Sequence, residues 1–256
     1  MKAIILAAGM GSRLRPLTDD KPKCLVELDK IPLLDRQLEV LKIAGISNVH
    51  VIGGYLGHML KRPNVTLHMN ENYESTNMVE TLFCAEAVLQ GTQDIIVSYG
   101  DIVYEPRVLQ KLISSEAEVS VAADSDWLRY WDNRMPNPLD DVETFAVDAE
   151  NRILELGKKP KTLEEVEGQF MGLIKFRADV LEEIHYSWRE IKKRIGLAAA
   201  EKMPMTDFLQ HLIDSEWDVR AVFVSNGWAE VDTVSDLAVA KQNLSRGNGP
   251  EFGPLV

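Results

Sequence analysis

Short apolar runs alternate with stretches of helical periodicity through the first half of the chain. Residues 2–7 (KAIILA) form a nearly continuous apolar run, which predicts a strand buried on both faces. Strands that alternate with helices at short intervals predict an α/β fold with a Rossmann-like, mixed but mainly parallel sheet flanked by helices. The same pattern predicts further strands over 48–53, 65–69 and 94–98, and helices over 33–44 and 78–89.

The pattern changes after a predicted strand at 119–122. Residues 124–143 are rich in aromatic and charged side chains and are interrupted by proline, which indicates an insertion or lid. We expect one domain over 1–244 and a disordered tail over 245–256. Beyond the insertion the pattern predicts a hairpin over 145–147 and 152–156 and strands over 169–176 and 219–224. It also predicts helices over 179–194, 207–213 and 234–244.

The composition argues against several classes of function. The 256 residues include 40 acidic and 28 basic side chains, and the net charge of -12 disfavours binding to nucleic acid or to an anionic membrane surface. No run of about eighteen apolar residues is present, so no membrane span is expected. The two cysteines lack metal-site spacing, and a reducing, cytoplasmic location is the simplest interpretation.

Three loops follow predicted strands, at residues 6–23, 53–55 and 98–101. We expect them to meet at one edge of the sheet, because ligands of such sheets gather at the carboxyl ends of the strands. The first loop reads LAAGMGSRLRPLTDDKPK, and Gly9 and Gly11 allow backbone N–H groups to approach an anion. It lacks the third glycine of the dinucleotide fingerprint and the Gly-Lys-Ser/Thr of a P-loop, which disfavours a Rossmann oxidoreductase.

Cations and carboxylates in these segments suit a polyphosphate with a metal ion. Arg13 offers a fork of donors, and Lys23 offers a mobile positive charge. Asp101 follows a predicted strand and Asp232 precedes a predicted helix, and two such carboxylates with phosphate oxygens are typical ligands of Mg²⁺. The alternative is a turn with solvated cations, in which the aspartates are turn or cap residues, above all Asp232 before Thr233.

The segment LAAGMGSRLRPLTDDKPKCLVEL, residues 6–28, resembles the signature of the nucleotidyltransferase superfamily that makes sugar nucleotides and CDP-alcohols. That signature is L-A-A-G-x-G-x-R followed by a P-K pair, and it is accompanied by acidic residues where Asp101 and Asp232 stand. The segments NENYESTNMVETLFCAEAVL and SYGDIVY are similar to small cytidylyltransferases that act on phosphoglutamine, phosphocholine or small phosphonates. The resemblance implies the fold of nucleotide-diphospho-sugar transferases with an inserted acceptor-binding lid.

This resemblance also implies a reaction and a set of roles. A phosphate or phosphonate oxygen of a small anionic acceptor would attack the α-phosphorus of CTP and release pyrophosphate, with Mg²⁺ as cofactor. Arg13 would hold the β- and γ-phosphates, and Lys23 would neutralise the α-phosphate. Asp101 and Asp232 would hold the metal ion. The nucleotide would be contacted by Leu6, Ala7, Ala8, Gly9, Gly11, Thr76, Asn77, Tyr99 and Gly100.

Some of these residues have simpler explanations. Thr76 and Asn77 match the region that reads the base in the family, but both are also good helix caps. Trp127 and Trp131 suit a cage for a quaternary ammonium, or a hydrophobic seam beneath the insertion.

The cations Arg129, Arg134 and Lys158 lie near these tryptophans in sequence, and they disfavour choline and favour an acceptor with a carboxylate. Glu167 precedes the strand predicted at 169–176, and its carboxylate either suits an amino group of the acceptor or is solvated. We expect acceptor contacts from Trp127, Trp131, Arg129, Arg134, Lys158 and Glu167.

Two other functions stay open at this stage. One is a sugar-1-phosphate nucleotidyltransferase that uses UTP or dTTP. The other is a catalytically silent nucleotide-sensing subunit, against which the joint presence of Arg13, Lys23, Asp101 and Asp232 argues. The sequence leaves a homodimer open.

Overall fold

The computed structural model describes residues 1–245. Its strands, in chain order, are β1 (Lys2–Ala7), β2 (Glu27–Leu28), β3 (Ile31–Pro32), β4 (Val49–Gly53), β5 (Val65–Met69), β6 (Ile95–Tyr99), β7 (Ile102–Tyr104), β8 (Val119–Asp124), β9 (Phe145–Val147), β10 (Ile153–Leu156), β11 (Gln169–Phe176), β12 (Val219–Val224) and β13 (Trp228–Glu230). Its α-helices are α1 (Leu33–Ile43), α2 (Met78–Phe83), α3 (Glu86–Leu89), α4 (Pro106–Ile113), α5 (Trp127–Arg134), α6 (Leu181–Ile195), α7 (Leu197–Ala200), α8 (Met205–Asp214) and α9 (Val234–Ser245).

Seven strands form the central sheet in the order β12-β8-β11-β6-β1-β4-β5. β1 lies parallel to both β4 and β6, and the pairs β4–β5 and β8–β12 are also parallel. Only β11 in this sheet runs the other way, antiparallel to β6 and β8. The prediction of a mixed, mainly parallel sheet flanked by helices is therefore confirmed.

The sheet is buried on both faces because successive residues of its strands enter different cores. On β1, Ile5 packs in one core with residues of α1, α4 and α9, whereas Ile4 packs in the other with residues of α2, α3, α6 and α8. Both isoleucines are fully buried. A nearly continuous apolar run is the expected sequence of such a two-sided strand.

The helix predicted over 78–89 is wrong as a single element. The chain leaves helical geometry at Ala85, with φ −106° and ψ 34°, and forms α2 and α3 instead. Phe83 and Val88 belong to the same core. In an unbroken helix these two positions would point about 140° apart, so the break turns both toward the sheet.

The insertion is anchored to the body of the protein through α5. Asp124, at the end of β8, accepts hydrogen bonds from the Trp228 indole at 2.9 Å and from the backbone of Asn226 at 3.0 Å. Trp127 and Trp131 are buried in the core that contains α1. The aromatic residues of the insertion thus form the hydrophobic seam that was the alternative to an aromatic cage.

The carboxyl-terminal helix α9 continues to Ser245. The rest of the predicted tail lies outside the residues that the structure describes. Within residues 1–245, no helix combines the length and apolar character needed to cross a bilayer.

Candidate active site

Two aspartates from distant parts of the chain lie side by side at the carboxyl edge of the sheet. β7 pairs with β13 in antiparallel register, with Glu230 opposite Ile102. Asp101 directly precedes β7, and Val231, just after β13, donates its N–H to the carbonyl of Asp101 at 2.9 Å. This short two-stranded pairing therefore places Asp232 beside Asp101.

A lysine lies between the two carboxylates. Lys23 Nζ is 2.6 Å from Asp101 Oδ2 and 2.5 Å from Asp232 Oδ1. Burial lowers the pKa of the Lys23 ammonium, but the carboxylates of Asp101 and Asp232 outweigh it and hold the pKa above its ordinary value. Lys23 is therefore charged at neutral pH. The guanidinium of Arg13 also contacts Asp232, although the Arg13 side chain is 65% exposed.

The glycine loop wraps closely around the Lys23 side chain. Gly11 has a φ of +63°, and a Cβ at this position would lie 2.9 Å from the Cβ of Lys23. The Thr18 hydroxyl donates to the carbonyl of Gly11 at 2.8 Å and fixes the turn. Gly9 is different, because a Cβ there would meet no protein atom within 4 Å. Gly11 is required by the loop itself, whereas Gly9 leaves open space beside it.

This cluster lines a first cavity of about 230 Å³. Of the predicted nucleotide-binding residues, Ala8, Thr76, Asn77 and Tyr99 do not line it, and the carbonyl of Ala8 instead accepts the N–H of Tyr55 at 3.1 Å. The cavity is lined by Leu6, Ala7, Gly9, Gly11, Ser12, Arg13, Lys23, Cys24, Met78, Gly100, Asp101 and Asp232.

The amide of Asn77 has local partners on both of its polar atoms. Its Oδ1 accepts from the N–H of Met78 at 2.8 Å, which caps α2, and its Nδ2 donates to the carbonyl of Lys202 at 3.3 Å. The Thr76 hydroxyl donates to the carbonyl of Asn72 at 3.0 Å. The structure thus shows the capping role for Asn77, and base recognition by either residue stays a prediction.

Asp232 is not the cap of the helix that follows it. Thr233 and Asp236 form a reciprocal capping box: the N–H of Thr233 donates to Asp236 Oδ2 at 2.8 Å, and the N–H of Asp236 donates to the Thr233 hydroxyl at 3.1 Å. Asp236 Oδ2 also accepts the N–H of Asp232 at 3.2 Å. The Asp232 carboxylate is therefore directed to Lys23 and Arg13 and is not used in capping.

Arg134 supports this loop from inside the protein, which differs from its expected contact with an acceptor. Its side chain is 3% exposed, and its Nε donates to Asp236 Oδ1 at 3.0 Å. Its Nη1 lies 2.9 Å from Glu230 Oε2, and its guanidinium lies 4.6 Å from the ring centre of Trp131. The cation is thus held among two carboxylates and an indole, and it cannot turn to a ligand without leaving both carboxylates unpaired.

Four other residues predicted to contact the acceptor line neither the first cavity nor the second one described below. The indole N–H of Trp127 donates to the carbonyl of Val166 at 3.0 Å in the interior. The other three residues have partners at the surface. Arg129 forms an ion pair with Asp126, Lys158 forms an ion pair with Glu155, and Glu167 accepts the N–H of Val147.

A second cavity of about 250 Å³ adjoins the first and shares Arg13, Met78 and Asp232 with it. Trp131 is the predicted acceptor residue that lines it. Most of its polar lining escaped prediction from sequence, because it comes from scattered segments. The lining that was not predicted includes Asp141, Glu143, Gln169, Thr206 and Glu230, whereas Asn77 and Tyr99, which also line this cavity, were predicted to contact the nucleotide.

Gln37 is a further site residue that the sequence pattern did not single out. It is buried on α1, and its Nε2 donates to the carbonyls of Tyr99 at 2.9 Å and Ile102 at 2.7 Å. Its Oε1 accepts from the Ser98 hydroxyl at 2.7 Å. Gln37 therefore fixes the turn that carries Asp101. The available signal was a glutamine among the apolar positions of a predicted helix.

The oxygen atoms of Asp101 and Asp232 are the groups here that suit a divalent cation. Asp101 Oδ1 is buried and accepts no hydrogen bond from the described residues. Within residues 1–245, no group of three or more His, Cys, Asp and Glu side chains is arranged to hold a metal ion. Two adjacent carboxylates, one of them with an unpartnered oxygen, fit an ion whose remaining ligands come from phosphates, as is usual for Mg²⁺.

The fold and the charged cluster at the edge of the sheet are typical of nucleotidyltransferases. The chain belongs to the family of MobA-like NTP transferase domains, whose model matches residues 3–183. The nucleotidyltransferase class indicated by the opening loop is thereby confirmed.

The chain is also similar to particular enzymes. It is 41% identical over 250 residues to the CTP:phosphoglutamine cytidylyltransferase of Campylobacter jejuni, covering 93% of this chain and 98% of that protein. It is 32% identical over 116 residues to the 2-aminoethylphosphonate cytidylyltransferase of Lancefieldella rimae, covering 41% of this chain and 47% of that one. The solved CTP:phosphocholine cytidylyltransferase of Streptococcus pneumoniae superposes with a TM-score of 0.71 at 23% identity, over 95% of this chain and 98% of that one, which shows the shared fold.

Proposed function

We propose that this protein transfers CMP from CTP to a small phosphorylated acceptor, with phosphoglutamine as the first candidate, and releases pyrophosphate. The observation that carries the proposal is the placement of Lys23 between Asp101 and Asp232 in the first cavity, with Asp232 also lining the second. One cavity would take the nucleotide and the other the acceptor. The full-length similarity to a phosphoglutamine enzyme supports the choice of CTP and of this acceptor.

The reaction needs alignment and charge neutralisation more than it needs a base. An oxygen of the acceptor phosphate forms a new bond to the α-phosphorus of CTP, and the bond from that phosphorus to the bridging oxygen of pyrophosphate breaks. The bonding electron pair leaves with pyrophosphate. Because the nucleophile is already an anion, no proton has to be removed from it. Positioned cations that stabilise charge in the transition state supply the main catalytic effect.

The position of each charged residue indicates its role in this reaction. Lys23, which is charged and held by Asp101 and Asp232 in the first cavity, would neutralise the α-phosphate as the acceptor approaches. Arg13 lines both cavities and is largely exposed, so its long side chain would reach the leaving phosphates.

Asp101 and Asp232 would hold Mg²⁺ through carboxylate oxygens, including the unpartnered Oδ1 of Asp101. Bound there, Mg²⁺ would offset phosphate charge that the two cations alone leave uncompensated.

An assay of pyrophosphate release tests the proposal. CTP is incubated with Mg²⁺ and, in separate reactions, phosphoglutamine, 2-aminoethylphosphonate, phosphocholine and phosphonoformate. We expect release with CTP and phosphoglutamine, and a CDP-linked product. Reactions of UTP or dTTP with hexose 1-phosphates are run in parallel. Turnover confined to those reactions would establish a sugar nucleotidyltransferase, and no turnover at all would favour a silent nucleotide-binding subunit.

A further inference from the structure

We propose that the second cavity recognises a primary ammonium group on the acceptor through Glu143, and that it selects such acceptors over those with a quaternary ammonium. This inference rests on the proposed function, because it names a chemical group that the acceptor carries besides its phosphate.

The position of the second cavity suits the body of an acceptor. It shares Asp232 with the first cavity, so an acceptor whose phosphate lies beside the metal site at Asp232 would extend into it. A volume of about 250 Å³ holds a compact molecule of amino-acid size. What lines the cavity beyond the shared residues therefore determines which acceptors fit.

Glu143 is an acidic residue on the wall of the second cavity, and it receives a hydrogen bond from the Thr206 side chain. Within residues 1–245, no lysine or arginine forms an ion pair with Glu143. Burial, followed by the nearby carboxylates of Asp207 and Asp141, raises the pKa of Glu143 to about 7, against a hydrogen bond from Thr206 that lowers it. Its charge is thus poorly compensated by the protein.

Gln169 adds a buried side-chain oxygen that is free to accept a hydrogen bond from a ligand. Its Oε1 is buried and accepts no hydrogen bond from the described residues, while its Nε2 donates to the carbonyl of Phe170 at 3.3 Å. The other acidic residues of this wall already have partners: Glu230 is paired with Arg134, Asp141 accepts the Trp131 indole N–H, and Asp232 is paired with Lys23. A ligand that brings both a positive charge and N–H donors matches Glu143 and Gln169 together.

The aromatic residues of the second cavity do not form an open cage for a methylated cation. The Arg134 guanidinium already lies over the Trp131 ring, and the Trp131 indole N–H donates to Asp141 at 3.2 Å. Tyr99 and Phe170 meet edge to face at 5.7 Å, and Gly172 lies directly against the Tyr99 ring. A quaternary ammonium has no N–H group and depends on free aromatic faces, so it gains little here.

Selection is tested with acceptors that differ only at nitrogen. Phosphoethanolamine and phosphocholine differ by three N-methyl groups, and kcat/KM with CTP is measured for each. One charge-assisted hydrogen bond corresponds to about tenfold or more in affinity, so the unmodified enzyme should prefer phosphoethanolamine by at least that factor. Equal use of the two acceptors would overturn the proposed selection.

The role of Glu143 is tested with Glu143→Gln and with phosphoglutamine and its analogue without the α-amino group. We expect the substitution to raise KM for phosphoglutamine about tenfold or more with kcat little changed, and to leave KM for the analogue unchanged. Glu143→Asp should restore part of the loss, and Glu150→Gln, at an exposed position in the β9–β10 turn, is the control.

The outcomes separate this inference from the reaction on which it rests. An equal rise in KM for phosphoglutamine and for its analogue would show that Glu143 only shapes the cavity. Turnover of CTP with no effect of the amine would refute the inference and leave the proposed function standing. Absence of CTP turnover with every acceptor would refute the proposed function itself.

Discussion

At the residue scale, the buried oxygen of Asp101 gives a direct test of the metal site. Asp101→Ala should reduce kcat by about 100-fold or more, since it removes one of the two carboxylates that face Lys23. It should also raise the Mg²⁺ concentration needed for CTP to bind, measured by calorimetry without acceptor. Asp20→Ala, exposed in the same region, is the control. Undiminished Mg²⁺-dependent binding of CTP in Asp101→Ala would contradict the metal assignment.

The acceptor residues show where reasoning from sequence fails at this scale. Arg129 and Arg134 are close in sequence, and both were expected to face the acceptor. In α5 they point in different directions: Arg129 is exposed, whereas Arg134 is buried with Trp127, Tyr130 and Trp131. These four buried positions have the spacing i, i+3, i+4, i+7, which is the buried stripe of a helix. The sequence contains this helical pattern, but the burial of a cation within it can be recognised only when its carboxylate partners on β13 and α9 are known.

The ion pairs of Arg134 give a second prediction with a matched control on the same helix. Arg134→Met should lower the free energy of unfolding by about 3 to 5 kcal/mol, because it leaves Glu230 and Asp236 without their buried cation. Arg129→Met removes only an exposed pair and should change it by less than about 1 kcal/mol. Urea denaturation measures both. A stable Arg134→Met protein with only a raised KM for the acceptor would restore the ligand contact expected from sequence.

At the element scale, the turn between β6 and β7 depends on a side chain from α1. Gln37→Leu keeps the approximate volume but removes the donors to the carbonyls of Tyr99 and Ile102. We expect a loss of about 1 to 3 kcal/mol in the free energy of unfolding, together with a lower kcat, since Asp101 lies in this turn.

Gln90→Leu is the control for this substitution, because the Gln90 side chain is exposed and donates to Glu86 at 3.4 Å on the surface. Unfolding curves and turnover with CTP are compared for both variants. If Gln37→Leu loses stability but retains full kcat, the turn does not need this support to place Asp101.

Elements with strong local patterns were predicted closely, and those that depend on distant partners were not. The strands predicted at 65–69, 169–176 and 219–224 have the bounds of β5, β11 and β12, because alternating or continuous apolar character is local information. β7 and β13 have three residues each and form only by pairing with one another. No local periodicity indicates such strands, yet their pairing brings the two aspartates together.

At the scale of the whole molecule, the stability should depend on pH through Glu143. Its pKa is about 7 in the folded protein against an ordinary value of 4.5, so the folded state holds this proton more tightly than the unfolded state. The associated stability is fully present below about pH 4.5 and is lost as the pH rises toward 7. The neighbours that disfavour its charge are Asp207 on α8 and Asp141 in its own segment.

Comparison with Glu143→Gln isolates this contribution from those of the other carboxylates. The free energy of unfolding of the variant, relative to that of the unmodified protein, should rise between pH 5 and pH 7, because glutamine has no proton to lose. Urea denaturation at a series of pH values measures the difference. A difference that is constant over this range would mean that Glu143 ionises as freely in the folded protein as in the unfolded chain.

The contact between Lys23 and Asp232 joins positions 209 residues apart. The entropy lost in closing this loop is largest in the unfolded chain and falls once the intervening sheet has assembled. The charged centre is therefore expected to be among the last parts of the molecule to form during folding. A nucleotide that spans it would tie the amino-terminal loop to the carboxyl-terminal helix, and amide hydrogen exchange should slow at both ends of the chain together.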